Sequence, residues 1–271
     1  MTVTSKLHYS NGADATLILG DAFDVLPTLP ANSIDLFVID PPYVTTEEAW
    51  DLKDVVNREL SWLTYQKACA HASLYVWCGI GEKSQSLIRW FPTFVENWHF
   101  KDLITWKKQR GIGMRRGWLY TREECMWFVK DNKSFIWNKE HQYLEGVTRK
   151  RDRYGIKPGQ NGKLPKNIYK RITNVWDDVT ELGKDVGYGK VPHYTPKPIR
   201  LLTRIIQASC VENGMVADVF MGSGSTGIAA IMKGMSFIGV EKDEASYQFA
   251  VDRMKCIESV SVVDEYVDTA P

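Results

Sequence analysis

Cysteine is scarce in this sequence and is not arranged as a disulfide or metal framework. Five cysteines occur in 271 residues, no two of them form a C-x-x-C pair, and the odd number leaves one without an intramolecular partner. The five histidines show no metal-ligand spacing either. We therefore expect reduced thiols in a cytoplasmic protein and no metal ion.

Long apolar segments are missing as well. No run of about 18 apolar residues, the length that spans a bilayer, occurs anywhere in the chain. The opening residues 1–6 lack the apolar stretch of a signal peptide. We expect no membrane partner. With 44% hydrophobic residues, the composition favours one large domain, or a core domain that carries an insertion.

Net charge is almost absent, at +1, but the charges are unevenly distributed. Residues 101–171 carry 19 lysines and arginines against 7 acids, whereas the rest of the chain carries 15 against 26. Chance clustering on a solvated surface explains so large a bias poorly, so we predict a polyanion-binding face on an acidic body. The cations expected to contact nucleic acid are Lys107, Lys108, Arg110, Arg115, Arg116, Arg122, Arg149, Lys150, Arg151 and Arg153.

Alternating strand and helix patterns dominate both ends of the chain. Apolar runs at 15–19 and 34–39, with a short proline-terminated helix at 22–29 between them, predict a β-α-β unit. Further strands are predicted at 74–78, 100–106, 125–129, 215–220 and 237–240, and further helices at 82–90, 199–209 and 228–232. The residues after about 256 are predicted to be a tail.

The strand at 34–39 ends abruptly in the motif Asp40-Pro41-Pro42-Tyr43. Proline cannot continue a sheet ladder and holds the preceding residue extended, so this turn is stiff. It presents a carboxylate, a carbonyl and an aromatic ring at the carboxyl end of a strand, where open α/β sheets bind ligands. A solvated proline-rich turn is the alternative interpretation of this motif taken alone.

A glycine-rich loop joins a strand to a helix near the other end of the chain. Its pattern, Gly222-x-Gly224-x-x-Gly227, lets the backbone approach a ligand where a Cβ would clash. Glu241, at the end of the next strand, can accept hydrogen bonds from two ribose hydroxyls. The pattern indicates a nucleoside site, and by itself it also fits a nicotinamide-dependent oxidoreductase. No Gly-Lys-Ser/Thr sequence closes the loop, which argues against a nucleotide-triphosphate P-loop.

In combination, these motifs resemble the amino-group DNA methyltransferases that use S-adenosylmethionine. The resemblance rests on Gly20-Asp21, Asp40-Pro41-Pro42-Tyr43, Thr195-Pro196-Lys197-Pro198, the loop at 220–226 and Glu241. It covers roughly residues 15–130 and 190–255. The catalytic motif comes first and the cofactor motif last, an order similar to the β group of that family. The resemblance implies a Rossmann-like α/β fold: a seven-stranded, mostly parallel sheet flanked by helices, assembled in permuted chain order.

The same resemblance implies a division of the chain. Between 131 and 190 the apolar periodicity largely disappears, and helix breakers and cations are frequent. We predict a target-recognition insertion at 131–190, between a catalytic half at 1–130 and a cofactor-binding half at 191–271.

Roles for individual residues also follow from the resemblance. The catalytic residues would be Asp40, Pro41, Pro42 and Tyr43. The cofactor-binding residues would be Asp21, Asp40, Thr195, Lys197, Asp218, Phe220, Gly222, Ser223, Gly224, Ser225, Thr226 and Glu241. Of these, Thr195 and Lys197 would bind the methionine carboxylate, which needs a cation for pairing. The chain departs from the family pattern at Pro196, where glutamine is more usual, and at Glu123-Glu124, where His-Glu is more usual.

The implied chemistry explains why these residue types are needed. An exocyclic base amine is a poor nucleophile because its lone pair is delocalised into the ring. The Asp40 carboxylate and the Pro41 carbonyl would accept hydrogen bonds from its two N–H groups and direct the lone pair at the sulfonium methyl. The base must first be flipped out of double-stranded DNA, and Tyr43 would stack on it.

Several alternatives stay open at this stage. Aspartate at the first motif position favours the N6 amine of adenine over the N4 amine of cytosine, and an RNA substrate would use the same chemistry. A catalytically inactive nucleic-acid-binding protein is disfavoured because the motifs are intact. The family places the protein with DNA in the cytoplasm of a bacterial or phage-infected cell. The target sequence, homodimer formation and a cognate restriction endonuclease are not determined by the sequence.

Overall fold

Strands and helices alternate through a computed structural model that describes residues 3–45, 53–112, 118–148, 169–179, 196–257 and 265–268. The strands are β1 (Val3–His8), β2 (Asp14–Leu19), β3 (Ile34–Ile39), β4 (Ala68–Cys78), β5 (His99–Ile112), β6 (Tyr120–Val129), β7 (Tyr143–Thr148), β8 (Tyr169–Arg171), β9 (Val175–Trp176), β10 (Met215–Asp218), β11 (Ser236–Glu241) and β12 (Glu265–Asp268). The helices are α1 (Ala22–Val25), α2 (Arg58–Lys67), α3 (Ser86–Phe94), α4 (Ile199–Ser209), α5 (Ser225–Ile231) and α6 (Glu244–Lys255), with 3-10 turns at Leu26–Thr28 and Lys139–Gln142.

Ten of the described strands form one sheet, in the order β12-β1-β2-β11-β10-β3-β4-β6-β5-β9, and β7 pairs with β8 separately. Its seven inner strands, from β2 to β5 in this order, are the predicted mostly parallel sheet, because within them only β6 runs antiparallel. The fold class is therefore confirmed. Two strands at one edge and β9 at the other extend the sheet beyond the predicted seven.

Both faces of the sheet are covered, which explains the near-continuous apolar sequence of its central strands. In β3, Leu36 and Val38 pack on the side of α4, α5 and α6, whereas Phe37 and Ile39 pack on the side of α1, α2 and α3. All four side chains are buried. Among the described residues, we find no helix both long enough and apolar enough to span a bilayer.

Two sequence-based predictions need correction. The helix predicted at 82–90 lies instead at Ser86–Phe94, because the chain at 81–84 forms a turn. Residues after 256 were expected to form a tail, but Glu265–Asp268 adds a strand to β1, with Val3 opposite Asp268. This pairing satisfies backbone groups on the edge of β1 and joins the two ends of the described chain.

The described parts of the predicted insertion, 131–148 and 169–179, contact the main sheet and its helices. Strand β9 pairs with β5, and Asn138 donates its side-chain N–H groups to the carbonyls of Gln207 and Cys210 at the end of α4. The remaining segments, 149–168 and 180–195, lie outside the described residues. The three-part division of the chain stays a prediction.

Candidate active site at the carboxyl ends of the parallel strands

Four carboxylates lie at the same edge of the sheet. Asp21, Glu241, Asp218 and Asp40 lie at or just beyond the carboxyl ends of β2, β11, β10 and β3, which are adjacent and parallel. Carboxyl ends of parallel strands meet at one edge, so the topology alone brings these acids together. All four line one cavity of about 170 Å³.

The cavity gathers most of the predicted cofactor-binding residues from three separate parts of the sequence. Its walls include Asp21, Asp40, Lys197, Asp218, Phe220, Gly222, Ser223, Ser225, Thr226 and Glu241. Gly224 begins α5 behind this wall, with a φ of 77°. Thr195 lies outside the described residues. The cavity also contains residues that the sequence did not single out, among them Val55, Asp243 and Ser246.

Glu241 ties the glycine loop to the end of β11. Its Oε2 accepts the N–H of Gly222 at 2.8 Å, and its Oε1 accepts the N–H of Asp243 at 2.9 Å. Gly222 has a φ of 50°, a left-handed conformation that glycine adopts without strain. Burial raises the pKa of Glu241, and the backbone hydrogen bonds oppose that rise. Each carboxylate oxygen keeps a further lone pair for a ligand in the cavity.

A buried arginine supports the same loop from behind. Arg253 of α6 donates from Nη1 to the carbonyl of Ser223 at 2.5 Å and to Oγ of Ser225 at 3.2 Å. Burial lowers the pKa of this guanidinium. Sequence analysis missed Arg253 because it did not predict α6, although Tyr247, Ala250 and Val251 have helical spacing.

Asp218 carries a strongly shifted pKa. Burial raises it from 3.8 to about 7, although two hydrogen bonds to the carboxylate lower it in part. The donors are Oγ1 of Thr226, at 2.7 Å, and the N–H of Phe220, at 3.1 Å. The negative charges of Asp40 and Glu241 add to the rise.

This shift predicts a pH dependence of stability. The folded protein holds the Asp218 proton more tightly than the unfolded chain, so this group favours folding most below pH 3.8 and loses that contribution as pH rises to about 7. Asp218→Asn keeps the side-chain shape but cannot ionise, so its free energy of unfolding should not show this decrease between pH 3.8 and about 7. We expect a difference of a few kcal/mol at most between the two pH limits, at about 1.4 kcal/mol per pKa unit. Urea unfolding of both proteins between pH 4 and 8 measures it; parallel profiles would contradict the assignment.

The Asp40-Pro41-Pro42-Tyr43 turn holds its carboxylate in a fixed set of hydrogen bonds. The Tyr43 hydroxyl donates to Oδ1 of Asp40 at 2.7 Å, and Nζ of Lys197 donates to Oδ2 at 2.5 Å. The Tyr43 ring packs edge-on against Trp90, with 5.9 Å between ring centroids. Both oxygens of Asp40 are therefore oriented before any substrate arrives.

Lys197 is buried between two acids, and the second of them is Glu123. Its Nζ lies 3.5 Å from Oε2 of Glu123, whose Oε1 accepts a hydrogen bond from Lys108 at 2.7 Å. Burial by itself would lower the pKa of Lys197, but the charges of Asp40 and Glu123 outweigh it and raise the pKa. Burial likewise opposes ionisation of Glu123, yet Lys197 and Lys108 bring its pKa below the usual value. The site thus contains a chain of ion pairs that runs from Asp40 through Lys197 and Glu123 to Lys108.

The sequence analysis named Glu123 as a departure from the family pattern but did not predict that it lies beside Lys197. Its position depends on β6 lying next to β4, a contact between distant segments. Its neighbour Glu124 points elsewhere, accepting from the hydroxyl of Thr105 at 2.7 Å and pairing with Arg122. Alternation along a strand separates these two adjacent acids.

The structure describes the side chains of three of the ten cations that were predicted to contact nucleic acid. Lys107 is exposed on β5, Arg122 is half-exposed, and Lys108 is occupied by Glu123. The other seven cations, or their side chains, lie outside the described residues: Arg110, Arg115, Arg116, Arg149, Lys150, Arg151 and Arg153. Trp118, an aromatic residue that the sequence analysis did not mention, lies just after Arg115 and Arg116 in the chain and is 93% exposed.

Comparison with known proteins identifies the family. Residues 34–252 match the family model described as DNA methylase. The Type II methyltransferase M1.MboII of Moraxella bovis is 32% identical over 260 residues, covering 89% of this chain and 93% of that protein. The DNA adenine methyltransferase YhdJ of Escherichia coli K12 is 30% identical over 88% of this chain and 82% of its own length.

A solved structure shows the same fold. The crystal structure of the M1.HpyAVI–SAM complex superposes with a TM-score of 0.61 at 22% identity, covering 89% of this chain and 98% of that one. The family match spans the Asp40-Pro41-Pro42-Tyr43 turn, the glycine loop and Glu241, all of which contribute residues to the cavity. The chain belongs to the DNA methylase family.

Proposed function

We propose that this protein transfers a methyl group from S-adenosylmethionine to the exocyclic N6 amine of a flipped adenine in double-stranded DNA. The observation that carries the proposal is the position of Asp40, whose carboxylate is fixed by Tyr43 and Lys197 at the rim of the cavity. The nicotinamide alternative accounts for neither this turn nor the family match.

The residues of the cavity fit S-adenosylmethionine. Glu241 retains lone pairs for ribose hydroxyls, Phe220 and Val55 offer apolar surface, and Lys197 offers a cation for the methionine carboxylate. An ammonium has three donors, so Lys197 can bind that carboxylate and still hold Asp40. When bound, the cofactor supplies an electrophilic methyl group on a sulfonium. The M1.HpyAVI–SAM complex, which shares this fold, supports the choice.

Asp40 and Tyr43 have different roles: Asp40 binds the amine of the base, and Tyr43 stacks on its ring. Asp40 accepts a hydrogen bond from an N–H of the amine, which localises the lone pair of that nitrogen toward the cavity. Tyr43 donates to Asp40 in the free protein, so the arriving amine competes for the same oxygen. The tyrosine ring then stacks on the base and offsets part of the few kcal/mol needed for flipping. Because the Asp40 carboxylate is held in place by Lys197, it stabilises developing positive charge with little movement of its own.

Adenine is favoured over cytosine by two observations. The motif begins with aspartate at position 40, and one relative with 30% identity is named a DNA adenine methyltransferase. DNA is favoured as the polymer by the family, by the basic segment 101–171 and by Trp118, an exposed aromatic suited to stacking. A cognate restriction endonuclease, homodimer formation and a cytoplasmic location stay predictions.

The decisive experiment identifies the product. Unmethylated bacterial DNA is incubated with the protein and S-adenosylmethionine labelled in the methyl group, digested to nucleosides and separated. We expect label in N6-methyladenine. Label in N4-methylcytosine would overturn the choice of base while keeping the chemistry. RNA of matched sequence is incubated in parallel, and label in that RNA alone would overturn the choice of polymer. No transfer to any of them would overturn the proposed function.

Cofactor binding should depend on Glu241. In Glu241→Ala, affinity for S-adenosylmethionine should fall by about 1–3 kcal/mol, because the ribose acceptors and the anchor of the Gly222 N–H are both lost. Titration calorimetry measures this. Glu244→Gln, an exposed acid in the first turn of α6, is the matched control and should bind as the wild type does. Equal affinity in Glu241→Ala would remove Glu241 from the cofactor site.

A further inference from the structure

A second cluster of chemically reactive side chains lies at the amino ends of β3 and β4, away from the cavity at their carboxyl ends. We propose that Cys69, His71 and Asp35 form a binding site for a transition-metal ion of the zinc class. One ligand atom from each residue lies within 4.8 Å of the other two. Asp35 precedes Asp40 by five residues on β3, roughly 16 Å at about 3.3 Å per residue, so the cluster is separate from the catalytic turn.

An irregularity in strand pairing creates the cluster. Ile34 is opposite Ala68 and Leu36 is opposite Ser73, so residues 69–72 of β4 face the single residue Asp35 of β3. The extra residues bring Cys69 and His71 toward one carboxylate. Local bulges of this kind frequently re-aim side chains at functional sites. Sequence spacing did not reveal the cluster because its members come from two strands.

The carboxylate is already oriented for a ligand role. Oδ2 of Asp35 accepts the N–H of Met215 at 2.7 Å, and Oδ1 lies 2.7 Å from Nε2 of His71. A backbone donor that fixes a ligating carboxylate is a common supporting contact in metal sites. The Cys69 thiol donates to the carbonyl of Asn32 at 3.1 Å. Metal binding would replace that bond with a metal–thiolate bond, and the Asp35–His71 hydrogen bond with bonds from both side chains to the ion. The thiol proton would pass to solvent, and a neutral His71 would carry its proton on Nδ1.

The donor set selects the kind of ion. Sulfur, imidazole nitrogen and carboxylate oxygen together suit Zn²⁺ and Co²⁺, whereas Mg²⁺ and Ca²⁺ prefer oxygen alone. Three protein donors leave a fourth tetrahedral position for water. His71 and Asp35 are 33% and 15% exposed, so an ion can enter from solvent. The neighbouring Lys130 donates hydrogen bonds to the Ala68 carbonyl and to Oδ1 of Asn32. The two positive charges of the ion would balance the negative charges of the Cys69 thiolate and the Asp35 carboxylate.

Such an ion would link β3 to β4, and through the Met215 N–H it would also brace β10. The full chain, reduced and freed of metal, is titrated with Co²⁺ and followed by the thiolate-to-cobalt absorption band. We expect one equivalent to bind, and Zn²⁺ to displace it. Zn²⁺ should also raise the melting temperature of the wild type.

Variants separate this site from adventitious binding. Cys69→Ser should abolish the band and the rise in melting temperature. His71→Gln should weaken Co²⁺ binding by at least about tenfold, since even supporting contacts of metal ligands contribute that much. Cys256→Ser, which removes an exposed cysteine elsewhere, should behave as the wild type. Absence of the band in the wild type, or its persistence in Cys69→Ser, would overturn the proposal and leave a plain hydrogen bond between Asp35 and His71.

Discussion

Asp40→Ala should lower the rate of methyl transfer by about three orders of magnitude, near the upper end for removal of one pre-positioned hydrogen-bonding group. The variant loses the acceptor that the proposed mechanism places at the amine. It should remain folded, because Lys197 retains Glu123 as a partner and Asp40 is partly exposed. Single-turnover transfer of labelled methyl to DNA measures the loss.

Two companion variants give this result its meaning. Tyr43→Phe removes the hydroxyl that donates to Asp40 and accepts from Lys197, but it keeps the ring that would stack on the base, so its loss should be much smaller. Asp252→Asn changes an exposed acid on α6 and should transfer methyl groups at the wild-type rate. If Asp40→Ala kept near wild-type turnover, another group would have to act as the amine acceptor.

Lys197→Met should produce the largest loss of stability, about 3 kcal/mol in the free energy of unfolding. Removing this buried cation leaves the Asp40 carboxylate without its cationic partner and the Glu123 carboxylate with Lys108 alone. The figure is at the lower end of the usual range because Asp40 is partly exposed and Glu123 keeps Lys108. Since the pKa of Lys197 is raised in the folded state, its contribution is fully present at neutral pH and is lost only in strong alkali. Urea unfolding at pH 7 is the measurement.

A double mutant tests the cause of this loss. Adding Glu123→Gln to Lys197→Met removes one of the two neighbouring carboxylates and should recover part of the stability. Lys133→Met, at an exposed lysine, should leave the unfolding midpoint nearly unchanged. Equal stability of Lys197→Met and the wild type would show that the ion-pair chain contributes no net stabilisation.

Local sequence pattern predicted those elements whose boundaries are marked by proline or glycine. The bounds of β3 and α4 agree with the prediction at both ends, because Asp40-Pro41-Pro42 ends the strand and Asn213-Gly214 follows the helix region. The seven-stranded sheet and the roles of individual residues came from the family resemblance, not from periodicity.

Contacts between distant segments could not be predicted in this way. Glu123 joins the active site only because β6 lies beside β4, and Asp35 meets His71 only because the pairing of β3 with β4 slips. The burial of Arg253 beneath the glycine loop depends on how α6 packs. Each of these depends on tertiary geometry, which one-dimensional spacing does not record.

The place of β10 in the sheet has a consequence for assembly on the ribosome. β10 lies between β3 and β11, yet 176 residues separate Ile39 from Met215 along the chain. At synthesis rates of about 5–20 residues per second, roughly 10–35 seconds pass between the synthesis of β3 and the synthesis of β10. Until then one edge of β3 has no partner strand, although β4 can already pair with the other edge. The carboxylates of the cavity meet only once β11 has emerged, so no N-terminal fragment that stops before residue 215 can form the cavity.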